Sequence, residues 1–455
     1  MVLKIVVAGA TGFVGRLLVD RLKGDHEVIA LSRSPKESEV NVEWRPCDLF
    51  SLLDAEKGLS GAEVAYYLVH SMQPTDHLAQ GTFRDFDLIA ADNFLRAAIK
   101  NGIKHIIYLG GTQPAEGTKN SPHLESRKEV EKLFLESSIP TTVLRASMII
   151  GPEGSSFHIM ARTVQRLPII LCPPWTRTQS QPIYIHDIIE SLQACLRLPL
   201  NAVEVFDVGC ATPISYEDMM KSLAKYFKKR RIFIDFMQVP YFLSSAVICT
   251  VTRAPWALVS PLIKGLSVSL QVQPDKKFDF LKRDFLSAEE ALQQAMKKFN
   301  ENKIPFAFRR PKVKPHIVRS AQRMDLPKGL NAQDVANQYM EFLPRLKPSV
   351  IRVDVQENWV YFNWAFPKLT LLVLEHAPER SGPDRQLFYV RGGALAKKTL
   401  RGRLEFREIS NGEQIIAAIH DFEPRLPWFV YLWSQALIHV WVMKQFAKYL
   451  RNRNS

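Results

Sequence analysis

Residues 3–16 read LKIVVAGATGFVGR, and this stretch decides the fold of the N-terminal half. The apolar run Ile5-Val6-Val7 leads straight into Gly9, Gly12 and Gly15. Apolar residues at helical spacing follow at once, at Val14, Leu17, Leu18 and Leu22. Strand, glycine turn and helix in that order form the front of a dinucleotide-binding unit. Gly9 permits the sharp turn, Gly12 lets backbone N–H groups approach a pyrophosphate, and Gly15 lets helix and strand pack closely. The helix N-terminus then offers free N–H donors to an anion. An ordinary strand–turn–helix is the competing reading.

The second strand spans residues 26–31 and ends in Ser32-Arg33-Ser34. An acid at this place bonds the ribose 2′-OH of NAD, whereas an arginine suits the 2′-phosphate of NADP. Arg33, flanked by Ser32 and Ser34, therefore points to NADP(H) in preference to NAD(H). A solvated loop arginine is the alternative. The third strand, near 42–44, leads to Asp48-Leu49, read either as an adenine contact or as the helix cap before Leu52.

At 455 residues, with 46% apolar and 23% charged side chains, the chain has room for two or three globular domains. The first strand begins at Leu3 with no basic n-region before it, so no cleavable signal is expected. The five cysteines, at 47, 172, 195, 210 and 249, show neither CxxC nor metal-ligand spacing. They read as reduced thiols of a cytoplasmic protein without a metal. The net charge of +14 includes 228–231 (KKRR) and 309–314 (RRPKVK). Such a surface attracts anionic ligands or acidic membranes, or simply solvates a basic face. Little aromatic interleaving argues against specific nucleic-acid binding. Residues 240–252 are too short to span a bilayer. Residues 427–450 read as one long amphipathic helix, packed on a core or in peripheral contact with a membrane.

Strand patterns at 63–69, 104–109, 140–144 and 203–208 alternate with helical patterns at 83–101, 122–137, 157–167, 187–197 and 215–229. This predicts an α/β fold, a doubly wound parallel sheet with its crevice at the carboxyl ends of the strands. Those ends carry His70, Gly110-Gly111-Thr112 and Arg145.

The motifs GATGFVG (9–15), YYLVHSM (66–72), IIYLGGTQP (106–114), SPHLESRKEVE (121–131), LRASMIIGPEGSSF (144–157), RLPIILCPPW (166–175) and QPIYIHDI (181–188) together resemble an atypical extended short-chain dehydrogenase/reductase of the NmrA-like branch. The resemblance covers about the first 300 residues. It implies a Rossmann domain and a small capping lobe. It also implies a nicotinamide site on Gly9, Thr11, Gly12, Phe13, Val14, Gly15, Ser32, Arg33, Ser34, Asp48, Leu49, His70, Gly110 and Gly111. Longer members carry a C-terminal START-like domain.

The active members of that family use Ser, Tyr and Lys: Tyr donates a proton, Lys lowers its pKa and holds the ribose, and Ser bonds the substrate oxygen. Aligned through Glu131, this chain puts His123 in the Tyr slot and Arg127 in the Lys slot. Gly110-Gly111 stand where Ser belongs, with Thr112 adjacent. His123 is a competent acid near neutral pH, Thr112 can orient an oxygen, and Arg127 can grip a ribose or phosphate but cannot deprotonate. Alternatively His123 only packs at the helix start. Arg145 and Gln181 are candidate substrate contacts, as are Ser155 and Phe157 in the 153–157 loop. Asp187 reads as an N-cap.

The expected domains are 1–230 (Rossmann), 231–302 (helical capping lobe), 303–330 (basic, proline-bearing linker) and 331–455. Ser287 and Glu290 form a capping box for a helix at 286–299. In the last domain Asn331 caps a helix at 332–342. Strands follow at 349–355, 359–365, 368–374, 385–391, 401–408 and 413–421, closed by the C-terminal helix. This order resembles a START-like helix-grip domain with a cavity for a hydrophobic ligand, or with a filled core. Two functions follow: an NADPH-dependent oxidoreductase of a small carbonyl or quinone-like compound, or a non-catalytic NADP(H) sensor or scaffold with a protein partner.

Overall fold

A computed structural model describes residues 2–70, 78–115, 117–118, 121–237, 239–299, 317–366, 369–409 and 412–452. The chain divides into two units, one of 1–73 with 87–309 and one of 74–86 with 310–455.

The first unit is built on seven parallel strands: β1 (Lys4–Ala8), β2 (Glu27–Ser32), β3 (Val42–Pro46), β4 (Val64–Tyr67), β5 (His105–Gly111), β6 (Thr141–Ala146) and β7 (Glu204–Val208). Their order across the sheet is β7-β6-β5-β4-β1-β2-β3. The order reverses beside β1, which places a crevice at the carboxyl ends of β1 and β4. Ile5 to Ala8 and Val64 to Tyr67 are almost completely buried, as both faces of a covered parallel sheet require. The connecting helices are α1 (Phe13–Leu22), α2 (Leu52–Leu59), α3 (Phe83–Lys100), α4 (Pro122–Leu135), α5 (Ser155–Arg166), α6 (Ile185–Ala194) and α7 (Tyr216–Tyr226). Beyond them α8 (Tyr241–Thr252) and α9 (Trp256–Gly265) pack on α5 and α4 respectively. The helix α10 (Ala288–Lys297) opens with the expected Ser287–Glu290 capping box. No helix among the described residues is long and apolar enough to cross a membrane.

The second unit has one sheet, ordered Ile351–Gln356, Trp359–Trp364, Leu369–His376, Arg385–Gly392, Arg403–Ile409, Gln414–Phe422, Val318–Asp325 and Leu78–Gln80. Neighbours are antiparallel except the last pair, which is parallel. Helices α11 (Ala332–Arg345), α12 (Trp428–Trp433) and α13 (Gln435–Arg451) complete it, and Asn331 caps α11 as expected. Tyr339, Phe342 and Phe446 meet at ring distances of 5.0 and 5.3 Å between helices and sheet.

Several expectations are corrected. The 427–450 helix is two helices, broken at Ser434, whose ψ of −86° leaves the helical range. The linker read over 303–330 contains the strand Val318–Asp325; its segment 303–316, with the basic run from 309, lies outside the described residues. Residues 74–86 belong to the second unit although they precede α4 in sequence. The strand expected over 401–408 runs over Arg403–Ile409, and its charged face is buried as well as its apolar one. Leu404 and Phe406 enter the apolar core, while Arg403, Glu405 and Arg407 on the opposite face are each no more than 7% exposed. Glu405 accepts hydrogen bonds from Arg385 (2.8 Å) and Arg407 (2.6 Å), and Asp421 accepts from Arg319 (2.7 Å). Removing one member of such a set leaves buried charge without a partner. Glu405→Ala is expected to destabilise the second unit by about 3–5 kcal/mol, read as a lower urea midpoint at unchanged slope.

Candidate functional site

The turn after β1 is shaped by close backbone approaches. Gly9 has φ +89°, and a Cβ there would lie 2.9 Å from the Leu68 carbonyl oxygen. A Cβ on Gly15 would lie 2.2 Å from the Gly9 carbonyl oxygen, so only glycine lets α1 sit against the turn. Gly12 donates its N–H to that same carbonyl at 2.9 Å and is the N-cap of α1. No side chain caps α1, and its first turn holds no acid. The first-turn N–H groups of a buried-strand-to-helix turn thus face outward, with Thr11 and Gly12 exposed beside them. This cradle fits a pyrophosphate. Phe13 and Val14 are half-buried, and the Phe13 ring lies against Gly151 and Gly154 at the start of α5.

At the neighbouring strand end Ser32 is buried and its Oγ accepts the Ser34 N–H at 3.2 Å. Arg33 and Ser34 are exposed. Asp48 does not cap α2: its carboxylate accepts the Phe50 N–H at 3.1 Å, and Ser51 is the cap. The carbonyl of Leu49 accepts from Asn93 at 2.8 Å.

A buried polar knot lies below α4. Asp87, 1% exposed, accepts from Ser126 Oγ at 2.8 Å and from Arg127 Nη2 at 3.0 Å. Arg127 Nη1 donates to the Val69 carbonyl at 3.2 Å. His70 lies 3.9 Å from Asp87 and stacks on His123, with ring centres 4.9 Å apart and planes at 11°. Burial, then the Arg127 charge, pushes the His123 imidazole down to about 4. Burial, then Arg127 and His123, holds His70 well below the usual histidine range. Both rings are therefore neutral at physiological pH. His123 Nδ1 is buried with no hydrogen-bond partner among the described residues.

A cavity of about 430 Å³ opens from this place. Gly111, His123, Ala146 and Ser147 line it at the strand ends. Its other walls come from α5, the strand Ile169–Cys172, α8 and α9, with Ile159, Met160, Val247, Leu262 and Ile263 among them. The lining is apolar apart from a few groups, of which Trp175 Nε1, like His123 Nδ1, is buried and unpartnered among the described residues. An orphaned polar atom in an apolar cavity is costly unless a ligand or water satisfies it.

The structure brings His123 and Gly111 together on this cavity and separates the other predicted contacts from it. Arg127 is turned to Asp87 rather than to a ribose. Thr112 is buried, and its N–H donates to the Ala146 carbonyl at 3.1 Å; it does not line the cavity. Arg145 is corrected from substrate contact to strut, because Glu131 takes two of its hydrogen bonds, at 2.9 and 2.5 Å. Gln181 is also a tie: its amide donates to Cys210 at 2.7 Å and accepts from the Val272 N–H at 2.7 Å. Phe157 is core, fully buried against Phe299, and Ser156 rather than Ser155 reaches the cavity. Asp187 is not the cap of α6. It sits in the first turn and accepts from Arg283 (2.7 Å) and the Leu286 N–H (3.0 Å). The residues missed are Trp175, Met160 and the walls of α8 and α9; the apolar run 166–175 and the apolar α8 carried the signal. No cluster of described residues could hold a metal ion.

Residues 9–165 match the model of an NAD(P)H-binding family. The auxiliary protein GraX of Staphylococcus aureus is 33% identical over 113 residues, 24% of this chain and 37% of that protein's length. The chain thus spans well under half of that relative. Two solved structures share the fold. An NADPH-dependent quinone oxidoreductase of Escherichia coli complexed with NADPH has a TM-score of 0.51 at 14% identity, covering 64% of this chain and 99% of that one. A triphenylmethane reductase of Citrobacter sp. has a TM-score of 0.51 at 17% identity, covering 65% and 99%. The first unit is therefore an NAD(P)-binding Rossmann-like domain.

A histidine kept neutral in the folded state takes up its proton only in the unfolded chain as the pH falls. Stability is therefore full above the ordinary histidine value of about 6.5 and declines as pH falls from there toward 4. Histidine-selective NMR is expected to show the His123 midpoint near 4, and His123→Gln to flatten the acid side of the stability profile. A midpoint at the ordinary value would contradict the buried geometry.

Proposed function

We propose that the protein is a cytoplasmic NADPH-dependent reductase whose substrate is an apolar, quinone-like carbonyl compound. The observation that carries this reading is the apolar cavity reaching the strand ends, with a neutral imidazole among its few polar groups beside the cofactor crevice. The glycine turn and α1 would hold the pyrophosphate, and Arg33 with Ser34 would hold a 2′-phosphate, which supports NADP(H) over NAD(H). When bound, the reduced nicotinamide supplies a hydride.

His123 would donate a hydrogen bond to the substrate oxygen from its orphaned ring nitrogen, and the reduced anion would take its proton from water. A neutral imidazole stabilises charge by hydrogen bonding without transferring its proton, so it suits an oxygen whose negative charge is delocalised, as in a hydroquinone anion, better than a simple alkoxide, which does not form without a proton donor. The buried Arg127 cation lies within the electrostatic reach of His123 and favours negative charge developing there. Arg127 thus replaces the family lysine by its field rather than by touching the ribose. Ala146, Met148 and the α9 side chains would exclude water and orient a flat apolar substrate. Two structural neighbours named for a quinone and for triphenylmethane dyes fit this substrate class, although at their low identity they carry only the fold.

A second reading has its own observation. Arg127 is engaged by Asp87, and Thr112 does not line the cavity. A nucleotide-binding sensor or auxiliary protein would need neither. In the second unit, an antiparallel sheet with a C-terminal helix supports a START-like helix-grip fold, and the Tyr339–Phe446 packing supports a filled core there.

Arg33→Ala is expected to weaken NADPH binding by roughly 10- to 100-fold and leave NADH nearly unchanged, by fluorescence titration. His123→Gln is expected to lower quinone turnover by roughly 10²-fold or more with NADPH affinity retained. Tight NADPH binding without consumption of any quinone or carbonyl would favour the sensor.

A further inference from the structure

The strands Ile169–Cys172 and Ile232–Asp235 form a parallel two-stranded ribbon, with Ile169 opposite Ile232 and Leu171 opposite Ile234. Side chains alternate between faces along a strand, and a water-facing face is ordinarily polar. Here the outer face carries Ile169, Leu171, Ile232 and Ile234, which are 47%, 48%, 60% and 41% exposed. The chain then continues into Phe236 (50%), Met237 (87%) and Phe242 (65%). The helix α8 is apolar on nearly all sides, YFLSSAVICTVT, without a charge. A surface helix in water keeps one polar face, and this one does not. A contiguous apolar surface of this kind marks an interaction site.

Its position gives it a purpose. Ile169, Leu171, Leu243 and Val247 are all between 44% and 48% exposed and all line the cavity. The mouth of the cavity therefore opens within the apolar patch. The sequence that carries the patch is basic: Lys228, Lys229, Arg230, Arg231, Arg253 and Lys264 stand against a single acid, Asp235, between residues 228 and 270. That acid is paired with Arg177. Apolar side chains flanked in sequence by lysine and arginine have the composition of an interfacial membrane contact.

We propose that this face docks on an anionic lipid bilayer, with Met237, Phe242 and the ribbon entering the headgroup boundary and the basic residues meeting lipid phosphates. Resting on the reductase reading, the cavity then takes its substrate from the lipid phase, which makes that substrate a lipophilic quinone. Each lysine or arginine close to an anionic surface adds roughly fivefold to affinity, which salt screens.

The test is sedimentation of the full-length protein with vesicles of phosphatidylcholine, alone or mixed with phosphatidylglycerol. Binding to the mixed vesicles is expected to exceed binding to the neutral ones by about tenfold or more, and to weaken with salt. Met237→Glu with Phe242→Glu is expected to reduce it about tenfold with the thermal midpoint unchanged, since both side chains are exposed. Should that pair unfold the protein, Lys228→Ala with Arg230→Ala carries the same test through the charges. Absence of binding overturns the proposal, as does binding that the glutamates leave intact. A wild-type dimer that the glutamates convert to monomer also overturns it, in favour of a second copy on this face. Vesicle binding needs neither nucleotide nor turnover, so its failure leaves the reductase reading standing, and the reverse holds equally.

Discussion

The first unit depends on the ion pair between Asp87 and Arg127. It joins α3 to α4, and the second guanidinium nitrogen reaches the carbonyl of Val69 after β4. Two helices and a strand end are thereby fixed about one carboxylate that is nearly inaccessible to water. A buried pair of this kind need not add net stability, because desolvation offsets much of the attraction. Its effect is on geometry and charge. Arg127 holds a permanent positive charge beneath His70 and His123, and together with burial that charge keeps both imidazoles neutral. The character of the site follows from a residue that does not line the cavity.

Much of the first unit was legible in the sequence because its signals are local. The glycine turn, the alternation of strands and helices and the Ser287 capping box all depend on residues within a few positions of one another. The illegible part depends on distant partners. Nothing near Arg145 in sequence distinguishes a strut from a substrate contact; Glu131, fourteen residues earlier, decides it. Gln181 is taken by backbone groups at 210 and 272, and Phe157 by Phe299. Polar residues near strand ends were expected to face the crevice, and most of them bind the scaffold to itself. The cavity walls, by contrast, are apolar residues of α5, α8 and α9, which local reading assigns to core or cap without distinguishing which face encloses a space.

The same limitation holds in the second unit. Period-two alternation over Arg403–Ile409 correctly separates Leu404 and Phe406 from Arg403, Glu405 and Arg407, but alternation alone cannot say that the charged face is dry. The pairing can be recognised only after Arg385 and Arg319 are brought alongside by the sheet. Charges in such a position hold register, because a slip of one residue would send each of them into the apolar core. Helix breaks are similarly hidden: the apolar periodicity of 427–450 passes through Ser434 without interruption, and only the backbone angles there reveal two helices.

The replaced residues at the reductase slots have a common chemical direction. Tyrosine with a lysine beside it supplies a strong proton donor, which a simple ketone requires because its reduced oxygen is a localised alkoxide. A neutral histidine over a buried arginine supplies a weaker donor and a fixed positive field instead. That combination is adequate only where the acceptor disperses its own negative charge, as a conjugated quinone does. The cavity agrees with it independently: flat conjugated acceptors are apolar, and the lining offers them aliphatic walls with few polar groups. Loss of the usual set is therefore not by itself loss of catalysis. On the proposed reading it would narrow the substrates to those that need least help with the proton, and these are the compounds for which the proposed apolar mouth at a lipid surface would be the natural entrance.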